Sequence, residues 1–228
     1  MTHLSNNIQL TDLPFEILIY ISEFLSTKDI LNLSLCSKCF HDLLSFVKFN
    51  EIVNFKDINK LSYFDSFTNV IYYVSTKSFP KSLRFLYWYC NDYLPLQLPD
   101  SLISLNLGQT HNRPLLQLPD SLISLHLGWY YNKLLPQLPD SLESLHLGCD
   151  YNQLLPQLPD SLKSLHLGFN YNQPLPQLPN SLKYLNLGHD YNHCLPQLPD
   201  SLTHLKVWKK HRLPALLPHV TVEFFDEN

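Results

Sequence analysis

From residue 98 onward the apolar positions return every 20 residues. Leu102-x-x-Leu105-x-Leu107 is followed by Gly108 and then Asn112, and the same spacing restarts at Leu122, Leu142, Leu162 and Leu182. The alternation predicts a short strand over 104–107, with Leu105 and Leu107 inward and Ser104 and Asn106 on the opposite, concave side. A fixed period of this kind is the mark of a solenoid, whose units bury their apolar side against their neighbours. The return side of each coil carries Pro136 and Pro139, or Pro156 and Pro159, within a dozen residues. No α-helix survives that density of proline, so extended or polyproline-type backbone and turns are expected there.

Within the unit each residue type suggests a task. All five glycines (Gly108, Gly128, Gly148, Gly168, Gly188) follow a strand, which predicts a sharp bend there with positive φ. Pro-Asp-Ser predicts the opposite turn, proline fixing φ and the Asp or Ser side chain bonding nearby backbone. Asn112, Asn132, Asn152, Asn172 and Asn192 are expected to stack as a ladder that satisfies backbone groups, and Tyr131, Tyr151, Tyr171 and Tyr191 as an aromatic spine.

Residues 11–50 follow a different grammar, with one proline and no glycine. Ile17, Ile21, Phe24 and Leu25, then Ile30 and Leu33, then Phe40, Leu43, Leu44 and Val47 recur at helical spacing, predicting three short helices. Thr11 or Asp12 is expected to cap the first, ahead of Pro14, and Ser26 with Asp29 matches a capping box for the second. The organisation read from the chain is a helical domain over 11–50, a linker and N-terminal cap over 51–78, repeats over 79–217, and a cap strand and tail over 218–228. Tyr63 to Tyr72 reads as a degraded first copy with a strand over Val70–Val74, and Val220, Val222 and Phe224 read as a last strand.

A formal charge of −4 argues against a nucleic-acid surface. No apolar run has the length of a membrane span, and the polar stretch Met1–Gln9 is not signal-like. Five scattered cysteines fit a reducing intracellular compartment, cytoplasm or nucleus, better than a disulfide framework.

Leu13-Pro14-Phe15-Glu16-Ile17, Ile21, Phe24-Leu25, Asp29-Ile30-Leu31, Leu33, Cys36-Ser37-Lys38 and Phe40 together resemble an F-box motif. That resemblance implies a Skp-type adaptor as partner and, through it, a cullin-based ubiquitin ligase. By the same resemblance Leu13, Pro14, Ile17, Ile21, Leu25, Asp29, Ile30 and Leu33 would supply the adaptor contact. Tyr-Asn followed by Leu-Pro-x-Ser-Leu-x-x-Leu-x-Leu-Gly resembles the FNIP repeat, a relative of leucine-rich repeats. The family's usual Phe-Asn is Tyr-Asn here, His111-Asn112 departs further, and the period is shorter than the commonest unit. The implied fold is a small all-α head followed by a leucine-rich-repeat-like solenoid with a parallel β-sheet on its concave face. The implied role is a substrate receptor that holds an unknown protein target. The alternative is an interaction scaffold whose head only caps the solenoid.

Candidate chemistry is sparse. His126, His146 and His166 form a concave row flanked by Asn106 and Asn186. Three imidazoles can ligate zinc when they converge, whereas a row in register suits a pH-sensitive binding face better. Asp100, Asp120, Asp140, Asp160 and Asp200 form a second row, read as exposed turn residues. Cys36-x-x-Cys39 lacks a second ligand pair, and no serine–histidine–acid set or phosphate loop appears, so neither catalysis nor a cofactor is expected. Gln109, Trp129, Cys149, Phe169 and His189 vary at one register position. Phe85, Tyr87 and Tyr89 occupy one end of the concave face, and Tyr184, His204, Lys206 and Trp208 the other. Target contact is expected from these end residues with Trp129, Phe169 and the His/Asn row, beside the plainer reading of drift and end-capping.

Overall fold

The computed structural model describes residues 13–22, 24–36, 44, 47–62, 64–72, 79–92, 94, 97–208 and 218–225. Helix α1 spans Phe15–Ser22 and α2 Thr27–Cys36. The Pro14 carbonyl accepts the Leu18 N–H (3.2 Å), so Pro14 stands just before the first turn; Thr11 and Asp12 lie outside the described residues. The box ahead of α2 forms as its spacing predicts. The Ser26 hydroxyl accepts the Asp29 N–H (3.2 Å) and donates to the Asp29 carboxylate (2.6 Å). Most of the segment expected to carry a third helix is outside the described residues, and from Phe49 the chain is already strand.

Among the described residues ten strands follow in one sheet, every neighbouring pair parallel and in chain order. They are β1 Phe49–Asn54, β2 Phe67–Tyr72, β3 Phe85–Trp88, β4 Ser104–Asn106, β5 Ser124–His126, β6 Ser144–His146, β7 Ser164–His166, β8 Tyr184–Asn186, β9 His204–Trp208 and β10 Thr221–Phe225. A one-turn helix α3, Phe55–Ile58, and a 3₁₀ turn, Phe64–Ser66, fill the connection between β1 and β2. From β4 to β9 the register advances by whole repeats, Leu105 beside Leu125, Leu145, Leu165, Leu185 and Leu205. Between β4 and β9 the described return segments carry no helix, as their prolines require. One continuous core runs from Leu18 in α1 through Tyr72 and Trp88 to Val207, so the head and the array share a single interior. The Ser66 hydroxyl adds a buried tie to the Leu44 carbonyl (2.7 Å).

The glycines serve a purpose other than the expected one. None has positive φ. Instead a Cβ on Gly148 would lie inside the contact radius of the Gly128 carbonyl oxygen, and Gly128, Gly168 and Gly188 stand in the same relation to Gly108, Gly148 and Gly168. Coil backbones pass too closely there for any side chain, so the column is selected by close approach rather than by dihedral freedom. The bend itself is an ordinary turn, the Tyr131 N–H donating to the Gly128 carbonyl (3.0 Å).

The opposite turn also differs from expectation. Leu142 N–H donates to the Pro139 carbonyl (3.0 Å), which makes proline the first residue of the turn rather than its central one. The serine reaches past its own turn to the coil before it. Ser121, Ser141, Ser161, Ser181 and Ser201 donate to the carbonyls of Leu102, Leu122, Leu142, Leu162 and Leu182 at 2.6–2.7 Å. The asparagine ladder forms as predicted. Each side-chain oxygen accepts the backbone N–H of the next asparagine at 2.9–3.1 Å, and Asn91 starts the series. The tyrosine spine is likewise present, rings 6.1–6.3 Å apart and within 8° of parallel, with the fully buried His111 stacked on its first member. Burial pushes the Tyr131 phenol up to about 12, partly offset by the nearby Leu115 backbone.

Candidate interaction surfaces

The head presents an apolar face that no other described residue covers. On α1, Leu18 and Ser22 turn into the core, where Leu18 joins Ile30 and Leu44. The opposite side leaves Ile17 at 45%, Tyr20 at 60% and Phe24 at 72% exposure, and the two rings meet edge-on at 5.2 Å. Of the residues named for the adaptor, Pro14, Ile17 and Asp29 are exposed, and Leu13, Ile21, Leu25 and Leu33 are half-buried. Ile30 is in the core, and the exposed Asp29 carboxylate accepts the Ser26 hydroxyl. Tyr20, absent from that set, and Phe24, named in the F-box motif but not among its adaptor contacts, are the most exposed apolar side chains among the described residues of the head. The signal available in the chain was their place opposite Leu18 at 3.6-residue spacing.

The concave face is a set of columns perpendicular to the strands. The second outward position of each strand holds Tyr87, Asn106, His126, His146, His166, Asn186 and Lys206, most of them half-buried. The imidazoles of His126, His146 and His166 stack at 4.1 and 4.0 Å within 13° of parallel. That is closer than the ~4.8 Å between strands, as rings leaning together over a concave surface would be. Burial first, then repulsion from His166 and His126, pulls the His146 imidazole down to about 4. His126 and His166 are lowered for the same leading reason, and the His166 Nε2 lies 3.0 Å from the Ser164 hydroxyl. The row is therefore packed and half-buried rather than freely solvated. Among the described residues no three His, Cys, Asp or Glu converge as a metal site would require. Asp100, Asp120, Asp140, Asp160 and Asp200 are exposed on their turns.

Aromatic groups gather at both ends of this face. Phe85 and Tyr87 are half-buried and Tyr89 is 37% exposed at the start, Tyr89 lying against Gly108. At the far end Tyr184 stacks on His204 (4.7 Å), and Phe169 on His189 (4.4 Å). Trp208 meets both His189 (4.8 Å, edge-on) and Phe225 (5.1 Å), the last not foreseen from the chain. Lys206 rests 4.0 Å over the Phe225 ring and 3.5 Å from Glu223. Trp129, by contrast, stands 55% exposed in mid-array. The structure thus joins Phe169, Tyr184, His204, Lys206 and Trp208 into one neighbourhood and leaves Phe85, Tyr87 and Tyr89 at the opposite end. Cys90, Cys149 and Cys194 are free thiols, and among the described residues no helix is long and apolar enough to cross a membrane.

Comparison with known proteins finds an F-box domain over residues 10–52. FNIP Repeat matches at 91–128, 111–150, 131–170, 151–177 and 171–207 together span 91–207. Among solved structures, YopM from Yersinia enterocolitica WA-314 is similar at 25% identity and a TM-score of 0.46, over 69% of this chain and 41% of that one. The chain spans about two fifths of the length of that protein. No curated protein matches in sequence. F-box and FNIP repeat content supports an adaptor or protein-interaction role.

Proposed function

Because the chain belongs to the F-box and FNIP repeat family, we propose that it is the substrate-recognition subunit of a Skp–cullin–F-box ubiquitin ligase. The head docks a Skp-type adaptor and through it the cullin, inside the cell, while the concave face of the array holds a protein target. The observation that carries this reading is the uncovered apolar face Ile17–Tyr20–Phe24 on a domain of F-box type. Apolar side chains this exposed and contiguous mark an interaction site. The mechanism is proximity: one chain binding both partners raises the effective concentration of the target near the ligase without contributing a reacting group.

The test is retention of purified Skp-type adaptor by the full chain and by an Ile17→Ser/Phe24→Ser variant, with circular dichroism to follow the fold. Retention by the wild type and its loss in a folded variant supports the reading; a wild-type chain that ignores the adaptor overturns it. The second reading, a scaffold whose head only caps the solenoid, is favoured by the shared core from Leu18 to Val207. Deleting the head would open that core under either reading, so surface substitutions and not truncation separate the two.

A further inference from the structure

Near its far end the concave face changes relief. The first outward position of each strand is serine from Ser104 to Ser164 and then becomes Tyr184 and His204. The second position is histidine from His126 to His166 and then becomes Asn186. A low column turns tall where its neighbour turns low, and between them opens a cavity of about 160 Å³. The stacked rings of Tyr184 and His204 line it together with His166, Asn186 and Lys206, and Glu223, paired with Lys206, completes the lining. Apolar cavities near 150 Å³ accept a benzene-sized group, so this one matches a single aromatic or large aliphatic side chain.

Charge narrows the occupant. Lys163 is met by Glu143 at 2.6 Å and Lys206 by Glu223 at 3.5 Å. Lys183, immediately before Tyr184 and exposed, has no acidic partner among the described residues. The strands here are hydrogen-bonded on both sides, so a ligand crosses them and is gripped by side chains rather than added as another strand. Lys183 stands on the same coil as Tyr184, one residue before it, so a group one or two extended residues from the anchor, about 3.3 Å each, falls within reach of its long side chain.

We propose that this cavity is the anchor site for the target: it takes one aromatic or large aliphatic side chain of an extended peptide segment, with a carboxylate one or two residues away against Lys183. This rests on the array being the target-binding half of the protein.

Selection of randomised, immobilised nonapeptides on the full chain without adaptor tests it. The expected result is enrichment of Phe, Tyr, Leu or Met at one position with Asp or Glu within two residues. A Tyr184→Ser/His204→Ser variant, which restores the residue carried at this position by the four preceding coils, should lose about tenfold or more in affinity for the selected peptides. Lys183→Glu should keep the apolar preference and lose the acidic one, and Asp120→Asn, on an exposed turn outside the concave columns, should bind as the wild type does. No enrichment, enrichment for basic segments, indifference to the Tyr184/His204 change, or a self-association that this change dissolves would each overturn the proposal. Adaptor retention is read separately, so failure here with the adaptor still bound removes only the anchor site, and selection without adaptor binding removes only the ligase role.

Discussion

In the array the strand leucines from Leu105 to Leu205 are all buried, each covered by its own counterparts in the coils beside it. In the head, eight residues of α1 send Leu18 inward and leave Ile17 and Tyr20 facing water, with Phe24 just beyond. The two regions are made of similar apolar residues, so the difference lies in what covers them. A repeat supplies its own partner twenty residues away; a short helical module cannot, and its surplus apolar area is available to another molecule. Stability is therefore concentrated in the seams between coils, and the head carries exposed surface that the fold does not depend on.

That contrast can be broken by substitutions graded from the array outward. Gly148→Ala should cost the most, about 3 kcal/mol, because its Cβ would press on the Gly128 carbonyl, which is backbone and cannot rotate away; urea unfolding measures it, and wild-type stability would show the seam to be looser than described. Asn152→Ala removes the acceptor of both the Asn172 N–H and the Gln173 amide, and about 2 kcal/mol should be lost in the same assay.

Acid offers a subtler probe. The His146 imidazole is held near 4 in the fold, below its ordinary value, so the unfolded chain binds more protons as pH falls through 6. The ladder's contribution is complete above that range and is lost on acidification, about 1 kcal/mol between pH 7 and 5 once solvent screening at a half-buried site is allowed for. His146→Asn, the residue found at this register in Asn106 and Asn186, should flatten the pH dependence of the urea midpoint in this window. Smallest of all, Ile17→Ser/Phe24→Ser should leave stability within about 0.5 kcal/mol while adaptor retention disappears. A large stability loss there would mean that the head's outer face belongs to the fold after all.

Features that depend on a residue's own coil were legible in the chain. Leu105 and Leu107 alternate, Pro136 and Pro139 forbid a helix, and the recurring Tyr-Asn pair announces a spine and a ladder. Features that depend on how closely two coils approach were not. Gly148 looks like a turn residue until the Gly128 carbonyl is seen beside it, and Ser141 looks like part of its own turn until its hydroxyl is found on Leu122. His111 breaks the tyrosine pattern in sequence yet keeps the place in space, because a flat ring is all that position demands. In the head, period alone could not say which side of α1 faces out, since Ile17, Leu18 and Ile21 are all apolar; packing against Ile30 and Leu44 decides it. The anchor cavity was half visible: Tyr184 and His204 stood out, but the dip at Asn186 acquires meaning only beside them.

Each seam from Gly128 to Gly188 repeats the same three fittings, a bare glycine against a carbonyl, a serine on a leucine carbonyl and an asparagine on an asparagine. Excising one 20-residue unit from the middle would bring together two faces that already fit, and inserting one would create no new kind of joint. The span between Tyr89 and Trp208 can thus be lengthened or shortened in steps of about 4.8 Å with both ends unaltered. The reach of the molecule is an adjustable quantity, separate from what its two ends hold.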